Sequence, residues 1–479
     1  MSRKSAIVAI LAIIPCAAMG WAATINIPAD QPTIQAGIDA AGNGDTVLVA
    51  PGTFAENIHF RGKGIVVASR FILAGERAYI ASTVITGGSP SHPDSASCVR
   101  ITSSSAATTA DSTAALVGFT VTGGTGTLWN DEHGAGVYRE GGGILVQYLS
   151  PRILDNVIEG NSAADGGAGI RVGDGYPRIM NNVIRHNSSG SYGGGIVLNY
   201  TGAVVANNLI EGNSSGANFG GGGGFWIYSN GTYPKLILNN TIANNTTSGG
   251  GTNLGGGIRA WSAGATVKNN IVWGNTNRQI LRTSGTGFGV SYCDVQDSVW
   301  PGAGNIRQDP NFLDTIRFYL SPSSPGIDAG DSSAVYNDPD NPGNPGSALY
   351  PALGGLRNDM GAYGGPGSAI LLSPAGVANG PDEIKTQTGI MLSRAWPNPS
   401  RQNVSISYLI EKPGPVSLRV YNAAGQLVRT LDEGRRPAGR RSVRWDGADV
   451  FGNKAGSGVY FCRLQTDRGS TVVKLAIVR

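Results

Sequence analysis

The most reactive set of side chains in the sequence lies in the segment TGTLWNDEHGAGVYRE at residues 125–140. Asp131, Glu132 and His133 are consecutive there, and Glu140 follows close behind. Paired carboxylates beside a histidine can act as general acid and base, as in the cleavage of glycosidic bonds. We therefore take Asp131, Glu132 and His133 as candidate catalytic residues. A polar surface loop, the commoner origin of such a composition, remains the alternative.

A second set of side chains combines aromatic rings with guanidinium groups, as a binding site would. Its members are Arg171, Trp226, Tyr228, Arg259 and Trp261. Contiguous exposed tryptophans usually mark a binding site, and flat rings suit the apolar faces of sugars. Guanidinium groups suit carboxylates or hydroxyls. We predict an elongated polysaccharide-binding groove here. The alternative is that residues 214–224 and 246–257 fold over the rings and bury them as core.

An oxygen-rich run, NDPDN at residues 337–341, makes Asp338 and Asp340 candidates for holding a structural calcium ion. The run lacks the twelve-residue EF-hand pattern, and both residue types are common in turns, so a turn without metal is the alternative. The four histidines are scattered over different segments, which argues against a histidine metal site. We expect no other cofactor.

The elements that must position these residues come from an internal repeat. Five segments align: PRILDNVIEGN, PRIMNNVIRHN, AVVANNLIEGN, KLILNNTIANN and ATVKNNIVWGN. One asparagine column consists of Asn156, Asn182, Asn208, Asn240 and Asn270, and a second lies five residues further on. A glycine cluster and a short apolar strand separate successive copies. A period of this length suits one coil of a solenoid.

Three columns of aliphatic side chains, beginning at Ile144, Ile153 and Ile158, predict three short strands in each coil. Side chains alternate between the two faces of a strand, so these columns face inward and place the five binding residues on the outside. Asparagines at the same turn of each coil can bond to one another. We therefore interpret them as a structural ladder that satisfies the backbone of the tight turns.

These repeats resemble the right-handed parallel β-helix superfamily, the pectin-lyase-like fold, over roughly residues 24–368. The segment TINIPADQPTIQAGIDAAGNGDTVLVAPGTFAENI looks like the usual opening of such proteins. It predicts a short helix, N-capped by Asp30, that covers the open end of the solenoid. LSPSSPGIDAGD and DMGAYGG resemble the closing segment, so residues 23–290 form the β-helix and 291–368 its C-terminal cap.

The resemblance does not identify a catalytic residue in this sequence. Calcium-dependent pectate lyases carry acidic residues on the groove strand, whereas the outward positions of these strands carry neither Asp nor Glu. Polygalacturonase-type hydrolases carry Asp-pair and Gly-His-Gly motifs, which are also missing from this sequence. An enzyme of this fold would therefore need a non-standard site.

Residues 369–392 are predicted to be a linker. From residue 393 to 479, six or seven alternating segments separated by turn residues predict an immunoglobulin-like sandwich. AWPNPS, VYNAAGQLVRTL and RWDGADVFGNKAGSGVYFCRL resemble the sorting domain of type IX secretion substrates and the Ig-like domain of flagellar hook-capping proteins. The resemblance implies delivery across an outer membrane by secretion machinery. A plain Ig-like spacer is the alternative.

The first 22 residues are predicted to be a signal peptide. Arg3 and Lys4 precede the apolar run 6–14, which is too short to span a bilayer, and cleavage is expected near Ala22. A membrane anchor is the alternative. The remaining cysteines are Cys98, Cys293 and Cys462, an odd and widely spaced set that favours buried free thiols over a disulfide framework.

Composition agrees with an all-β protein, since 73 of 479 residues are glycine and only 14% are charged, against a usual share of about 25%. The net charge of +4 gives no reason to expect nucleic acid as a partner. The favoured function is a monomeric, exported bacterial protein that binds extracellular or surface polysaccharide. The alternatives are a polysaccharide lyase or glycoside hydrolase, and a structural adhesin that contacts protein.

Overall fold

The computed structural model describes residues 22–372 and 390–477, with gaps. The gaps are 89, 104–112, 132, 135, 230–233, 251–252, 343, 393–399, 401–403, 411, 423–425, 438 and 451. The predicted signal peptide, apart from Ala22, and most of the predicted linker lie outside the described residues. Glu132 lies outside them as well.

Short parallel strands wind into a solenoid with three walls, in which each wall pairs strands of successive coils. The first wall consists of Thr24–Ile27, Thr46–Val49, Val66–Ser69, Ala115–Val117, Arg152–Leu154, Arg178–Met180, Ala203–Ala206, Lys235–Leu238, Ala265–Lys268 and Phe288–Ser291. The second wall consists of Gly52–Ala55, Thr83–Thr86, Thr120–Thr122, Val157–Glu159, Val183–Arg185, Leu209–Glu211, Thr241–Ala243, Ile271–Trp273 and Asp294–Val295. The third wall consists of Ile58–His59, Val99–Thr102, Ile144–Gln147, Ile170–Gly173, Ile196–Asn199, Phe225–Tyr228, Gly255–Trp261 and Arg278–Arg282.

The interior is filled by the three aliphatic columns that the repeat predicts. Ile153 pairs in register with Ile179, and Ile158 with Ile184, on the next coil. These side chains and their counterparts in the other coils are fully buried in one continuous core. Each buried aliphatic side chain contributes about 1.5–3 kcal/mol, so stacking like on like stabilises every added coil. Residues 115–124 form an earlier, degenerate coil with the same spacing of apolar residues, and Leu116 pairs in register with Ile153.

The predicted asparagine ladder is confirmed. Asn156, Asn182, Asn208, Asn240 and Asn270 are all buried, and each of the first four donates through its backbone N and its Nδ2 to the Oδ1 of the next. A parallel ladder runs through Asn161, Asn187, Asn213, Asn245 and Asn275. The first ladder ends on a sulfur, because Asn270 N lies 3.4 Å from Cys293 Sγ. The second ends on Gln279 Oε1, which accepts from Asn275 Nδ2 at 2.7 Å.

One corner of the solenoid is covered by the C-terminal segment. The corner residues Asp155, Asn181, Asn207, Asn239 and Asn269 all have positive φ, a conformation that Asn and Asp tolerate better than other non-glycine residues. Asn207 Nδ2 donates to Ala362 O and Gly364 O, and Asn239 Nδ2 donates to Asp359 O. Residues 358–372 thus run back across the coils, and the ring of Tyr363 packs on the second wall together with Phe318 and Tyr319.

The predicted helix at the N-terminal end is present at Ile34–Ala40, and its Ile34 and Ile38 are buried. The predicted N-cap is wrong. Thr33 caps this helix by accepting a hydrogen bond from Ala36 N, whereas Asp30 accepts from Asn26 N. Short helices at Phe71–Ala74 and Ala78–Ser82, and 3₁₀ turns at Asn218–Gly220 and Ala334–Tyr336, complete the helical content of the described residues.

Two further small sheets accompany the solenoid. A hairpin of Gly126–Asp131 and Gly136–Glu140 pairs with Ser95–Ala96. We call it the hairpin. The strands Ser162–Ala163, Ser188–Ser189, Ser214–Ser215 and Thr246–Thr247 form a parallel sheet along another corner.

The C-terminal residues form two antiparallel sheets. One consists of Ile390–Leu392, Val404–Ile410 and Gly439–Trp445; the other of Leu427–Arg436, Gly414–Asn422, Gly458–Thr466 and Gly469–Ile477. Tyr408 and Trp445 of the first sheet and Leu418 and Leu464 of the second share one buried core. The all-β fold class, a parallel β-helix followed by a small sandwich, is therefore confirmed.

Candidate functional site

The outward side chains of the third wall form two rows that cross successive coils. The register places Leu145, Arg171, Val197, Trp226 and Arg259 in one row. It places Gln147, Gly173, Asn199, Tyr228 and Trp261 in the other. The five predicted binding residues therefore lie on three of four successive coils of one wall, with the coil of Val197 and Asn199 between Arg171 and Trp226.

The first row is not open to solvent, because the hairpin lies against it. Arg171 is only 2% exposed, and its Nε donates to Glu140 Oε2 of the hairpin at 2.9 Å. Its Nη1 donates to Gln147 Oε1, and Tyr192 Oη donates to Glu140 Oε1 at 2.7 Å. The prediction of Arg171 as an exposed ligand-binding residue is therefore corrected, since its guanidinium is already used to hold the hairpin.

The turn around Phe219 covers the other end of the same row. Trp226 is 6% exposed, packs on Tyr192 with centroids 4.7 Å apart, and donates from Nε1 to Phe219 O at 3.4 Å. Arg259 is buried as well, and its Nε donates to Phe219 O at 3.0 Å. The expected exposure of Trp226 and Arg259 is wrong. The structure shows the alternative instead: residues 214–224 fold over these two side chains.

Three rings at this end of the wall remain accessible. Tyr228 and Trp261 of the second row are half-buried, and Phe219 of the overlying turn is 41% exposed. The Phe219 and Trp261 rings are 5.3 Å apart at 40°, and the Tyr228 and Trp261 rings are 6.5 Å apart at 82°. We call these three residues the aromatic patch. Phe219 is presented by a backbone with φ of 53°, an uncommon conformation for a bulky side chain.

A group of polar side chains adjoins the aromatic patch. His133 Nε2 lies 3.0 Å from Asp174 Oδ1, and the ring stacks on Tyr200 at 3.7 Å and 15°. Asp131 Oδ2 accepts a hydrogen bond from Asn199 Nδ2 at 3.0 Å. We call Asp131, His133, Asp174 and Asn199 the polar cluster. Tyr200 connects it to the aromatic patch, because its ring meets Tyr228 edge-on at 5.4 Å.

Charges of both signs lie in this region, since Arg259 Cζ is 5.5 Å from the centroid of the Trp261 ring and the carboxylates of Asp131 and Asp174 lie in the polar cluster. Gln147 Nε2 donates to Asp174 Oδ2 at 2.7 Å. Asp131 accepts hydrogen bonds from His133 N in the hairpin turn and from Asn199 Nδ2. Asn199 is buried, and its Oδ1 has no hydrogen-bond partner among the described residues. Burial, with a hydrogen bond to Tyr228, raises the pKa of Tyr200 to about 12, so its hydroxyl is protonated at neutral pH.

Sequence reasoning found part of this site and missed the rest. Asp131 and His133 were chosen for their types, and the structure brings them to the wall that carries Tyr228 and Trp261. Asp174 and Asn199 were missed, although the repeat places Asn199 at an outward position. The presence of Phe219 in a turn bounded by glycines was the available signal for a ring displayed on a tight loop.

The calcium candidates have other contacts. Asp338 accepts hydrogen bonds from the backbone N of Asp359 and of Gly365, and Asp340 accepts from Gly346 N at 2.9 Å. Burial raises the pKa of Asp338 to about 8 and that of Asp359 to about 7. Within the described ranges no three His, Cys, Asp or Glu side chains are grouped to hold a metal ion. Structural calcium stays a prediction.

The three cysteines are free and buried, as expected. Burial raises the pKa of each thiol to about 12, so they are unreactive at neutral pH. The helices of the described ranges are all too short or too polar to cross a bilayer.

The fold and the outer wall define a parallel β-helix protein with a loop-built surface site. The family model for a right-handed β-helix region matches residues 97–295, and the model for the FlgD Ig-like domain matches residues 399–470. The chain thus contains both kinds of domain. No curated protein matches its sequence.

Two solved structures from Porphyromonas gingivalis are similar to parts of the chain. Dimeric latent PorU is 22% identical with a TM-score of 0.17, over 19% of this chain and 9% of that chain. PorZ, described as an essential surface component of the type-IX secretion system, is 19% identical with a TM-score of 0.15, over 27% of this chain and 14% of that chain. The chain therefore spans only a small part of either protein.

Proposed function

We propose that this chain is an exported protein that binds polysaccharide on the outside of its third wall, at the aromatic patch and the polar cluster. The observation that supports the proposal is a group of three accessible rings linked through Tyr200 to a set of polar side chains. Phe219, Tyr228 and Trp261 offer apolar faces, and His133 and Asp174 lie on the other side of Tyr200. Sugars present an apolar face and a rim of hydroxyls, so they require this combination.

The dimensions of the site suit a stretch of polymer rather than a single small molecule. Asp174, Tyr200, Tyr228 and Trp261 lie on four successive coils. Neighbouring strands are about 4.8 Å apart, so three steps between coils give roughly 14 Å. A linear glycan lying across the strands would contact the polar cluster and the aromatic patch in turn.

The test is affinity electrophoresis of the full chain through gels that contain single polysaccharides from a broad panel. We expect retardation by at least one polymer, and Trp261→Ala should weaken that binding at least tenfold because it removes the central ring. The matched control is Trp273→Ala, which removes a half-buried tryptophan from the second wall. Failure of every polymer to retard the chain, or equal losses in both variants, would refute the proposal.

The proposal of export is supported by two segments, the first 22 residues and the Ig-like domain. The charged start and apolar run of the first 22 residues favour a signal peptide, and the Ig-like domain matched at residues 399–470 favours a role in delivery or attachment. We expect the chain at the cell surface or in the medium of its native host. Deletion of residues 393–479 should retain it inside the outer membrane. Unchanged cell fractionation after the deletion would refute a role of this domain in delivery.

Bond cleavage is a second candidate function, favoured by one observation. His133 is held between the Asp174 carboxylate and the Tyr200 ring, 3.0 Å from the former, beside the proposed glycan path. A histidine placed in this way can transfer protons. The test is the release of new reducing ends or unsaturated products from whichever polymer binds. Activity that His133→Ala leaves unchanged would remove the polar cluster from such a mechanism.

A further inference from the structure

The C-terminal sandwich differs from the rest of the chain in its charge. Residues 393–479 contain fifteen Lys and Arg against six Asp and Glu, whereas residues 23–392 contain nineteen against twenty-six. The sandwich therefore has an excess of nine positive charges, although the net charge of the whole chain is only +4. An excess of this size on a small domain creates a positive potential that attracts polyanions.

Part of this excess lies on the outer face of the four-stranded sheet. Leu418 and Leu464 belong to the buried core between the two sheets, and side chains alternate between the faces of a strand. Their neighbours Arg419 and Arg463 therefore lie on the outer face, directly opposite each other on adjacent strands. Like charges in this arrangement repel each other and destabilise a sheet, so an anion between them would be favourable.

Only one of these two guanidinium groups is paired with a carboxylate among the described residues. Arg419 Nη2 donates to Glu433 Oε1 at 2.8 Å. Arg463 Nη2 donates instead to the hydroxyl of Ser470, at 3.3 Å, and Arg463 is exposed. Arg463 is thus a cation that a ligand can reach and that no carboxylate of the described residues neutralises.

Three further cations border the same outer face. Arg435 lies two residues from Glu433 on the edge strand, so it faces the same side, and Lys412 and Arg468 line one small depression at the end of the sheet. All three are exposed, and none forms an ion pair within the part of the chain that the structure describes. Asp467 is the carboxylate in this depression. We call the following five residues the basic face: Lys412, Arg419, Arg435, Arg463 and Arg468.

The cations of the basic face are too far apart for one small anion to contact them all. The row of Arg463 and the row of Arg435 are four residues apart along the strand Gly414–Asn422, which is roughly 13 Å. Between these two rows lies a row of hydroxyl and amide side chains, Ser417, Gln465 and Ser470. The face therefore combines separated positive charges with uncharged polar groups.

We propose that the basic face binds an anionic polysaccharide, a polymer that repeats carboxylate or phosphate groups along its chain. Guanidinium and ammonium groups bind these anions, and the row of hydroxyl and amide groups can bond to sugar hydroxyls. A polymer contacts several cations at once, which turns weak single contacts into useful affinity. A bilayer fits this face less well, because its exposed apolar side chains, Phe461 and Val472, lie within strands and not on a projecting loop. The site is separate from the third wall and does not depend on the function proposed there.

The experiment measures binding of the full chain to labelled ligands by fluorescence anisotropy. The ligands are fragments of a polyuronate, of a phosphorylated glucan and of neutral dextran, together with single-stranded DNA. Vesicles that contain phosphatidylglycerol are tested by co-sedimentation. We expect both anionic polysaccharides to bind at least tenfold more tightly than dextran, and their affinity should fall as salt is added, because salt screens exposed charges.

The double variant Arg435→Glu with Arg463→Glu tests the location of the site. It reverses two exposed charges of the basic face and should weaken binding of both anionic polysaccharides at least tenfold. The matched control, Arg444→Glu with Lys454→Glu, makes the same change of charge at exposed residues outside the face and should weaken binding less than threefold. Urea unfolding of both variants checks that the fold is retained.

Each contrary outcome overturns a defined part of the proposal. Equal losses in the two double variants would show that net charge alone attracts the polymer, and the basic face would be rejected. Tighter binding of DNA or of vesicles than of both anionic polysaccharides would overturn the ligand class. Binding that is lost in Trp261→Ala and kept in the basic-face variant would place the anionic polymer on the third wall. Failure of both anionic polysaccharides to bind would refute the basic face and leave the proposal for the third wall standing.

Discussion

Asn208, at the centre of the first asparagine ladder, is the position at which the cohesion of the coils can be measured most directly. Its Oδ1 accepts hydrogen bonds from the backbone N and the Nδ2 of Asn182, both at 2.9 Å. Its Nδ2 donates to Ile179 O at 2.9 Å, to Ala206 O at 3.0 Å and to Asn240 Oδ1 at 3.0 Å. One amide therefore connects three coils.

The substitution Asn208→Ala removes all of these bonds from a site that solvent does not reach. A buried donor or acceptor left without a partner costs about 1–3 kcal/mol. The backbone N of Asn182 and the carbonyl of Ile179 are the groups most exposed to this penalty, and a small cavity adds to it. We expect a loss of about 3–6 kcal/mol in the free energy of unfolding, a large part of the roughly 5–15 kcal/mol that a typical protein has.

The assay is urea unfolding of the full chain, followed by far-ultraviolet circular dichroism, with the slope of the transition checked against the parent. The matched control is Asn130→Ala on the hairpin, where the asparagine is exposed and we expect a change within about 0.5 kcal/mol. A loss at Asn208 below about 1 kcal/mol, or no larger than the loss at Asn130, would refute the view that the ladder holds the coils together.

Three further predictions concern buried charge. Lys235 is buried, which lowers its pKa to about 8 from 10.5, and its Nζ donates to Ser229 O at 3.5 Å. Its folded-state pKa is below its unfolded value, so the free energy of unfolding should rise between about pH 8 and 10.5. Lys235→Met should add about 1–3 kcal/mol at pH 7 and abolish that rise in urea titrations; a less stable variant would contradict this. Burial raises the pKa of Asp338 and Asp359 above the ordinary 3.8, so wild-type stability should fall as pH increases from about 4 to 8, and Asp338→Asn should flatten this slope in thermal unfolding, whatever its effect on absolute stability. Glu140→Gln leaves the Arg171 cation buried without its counter-charge and should cost about 3–5 kcal/mol, together with faster hydrogen exchange in the hairpin; exchange at the parent rate would show that this ion pair does not anchor it.

The solenoid could be predicted from sequence because its contacts repeat. Ile153 meets Ile179, and Asn156 meets Asn182, so one alignment of the chain with itself gives the register, the inward columns and the ladder. Even the degenerate coil at Leu116 follows from spacing. The same logic fails at single events. Thr33 rather than Asp30 caps the first helix. The segment occurs once, so no comparison with other copies could show which of the two residues is the cap.

The candidate site was predicted only in part, because it is made by contacts between a repeat and its insertions. Glu140 meets Arg171, and Phe219 covers Trp226, through pairings that occur once in the chain. At such positions the residue type alone does not predict the function of the side chain. An arginine at an outward position suggests a ligand site for anions, whereas Arg171 neutralises the carboxylate of Glu140 in the hairpin.

The burial of the predicted groove also changes how the site must be understood. Backbone bonds fix each coil of the third wall to the next, and two ladders add to them in the coils from Asn156 to Asn275. What a ligand of the proposed site meets is decided by the two elements that lie over these strands. The hairpin brings Asp131 and His133, and the turn at Phe219 brings one ring and hides another. Because stability resides in the coils and the proposed binding site in the overlying segments, we expect substitutions at Phe219 or His133 to alter binding while leaving the unfolding transition nearly unchanged, and substitutions at Asn208 to do the reverse.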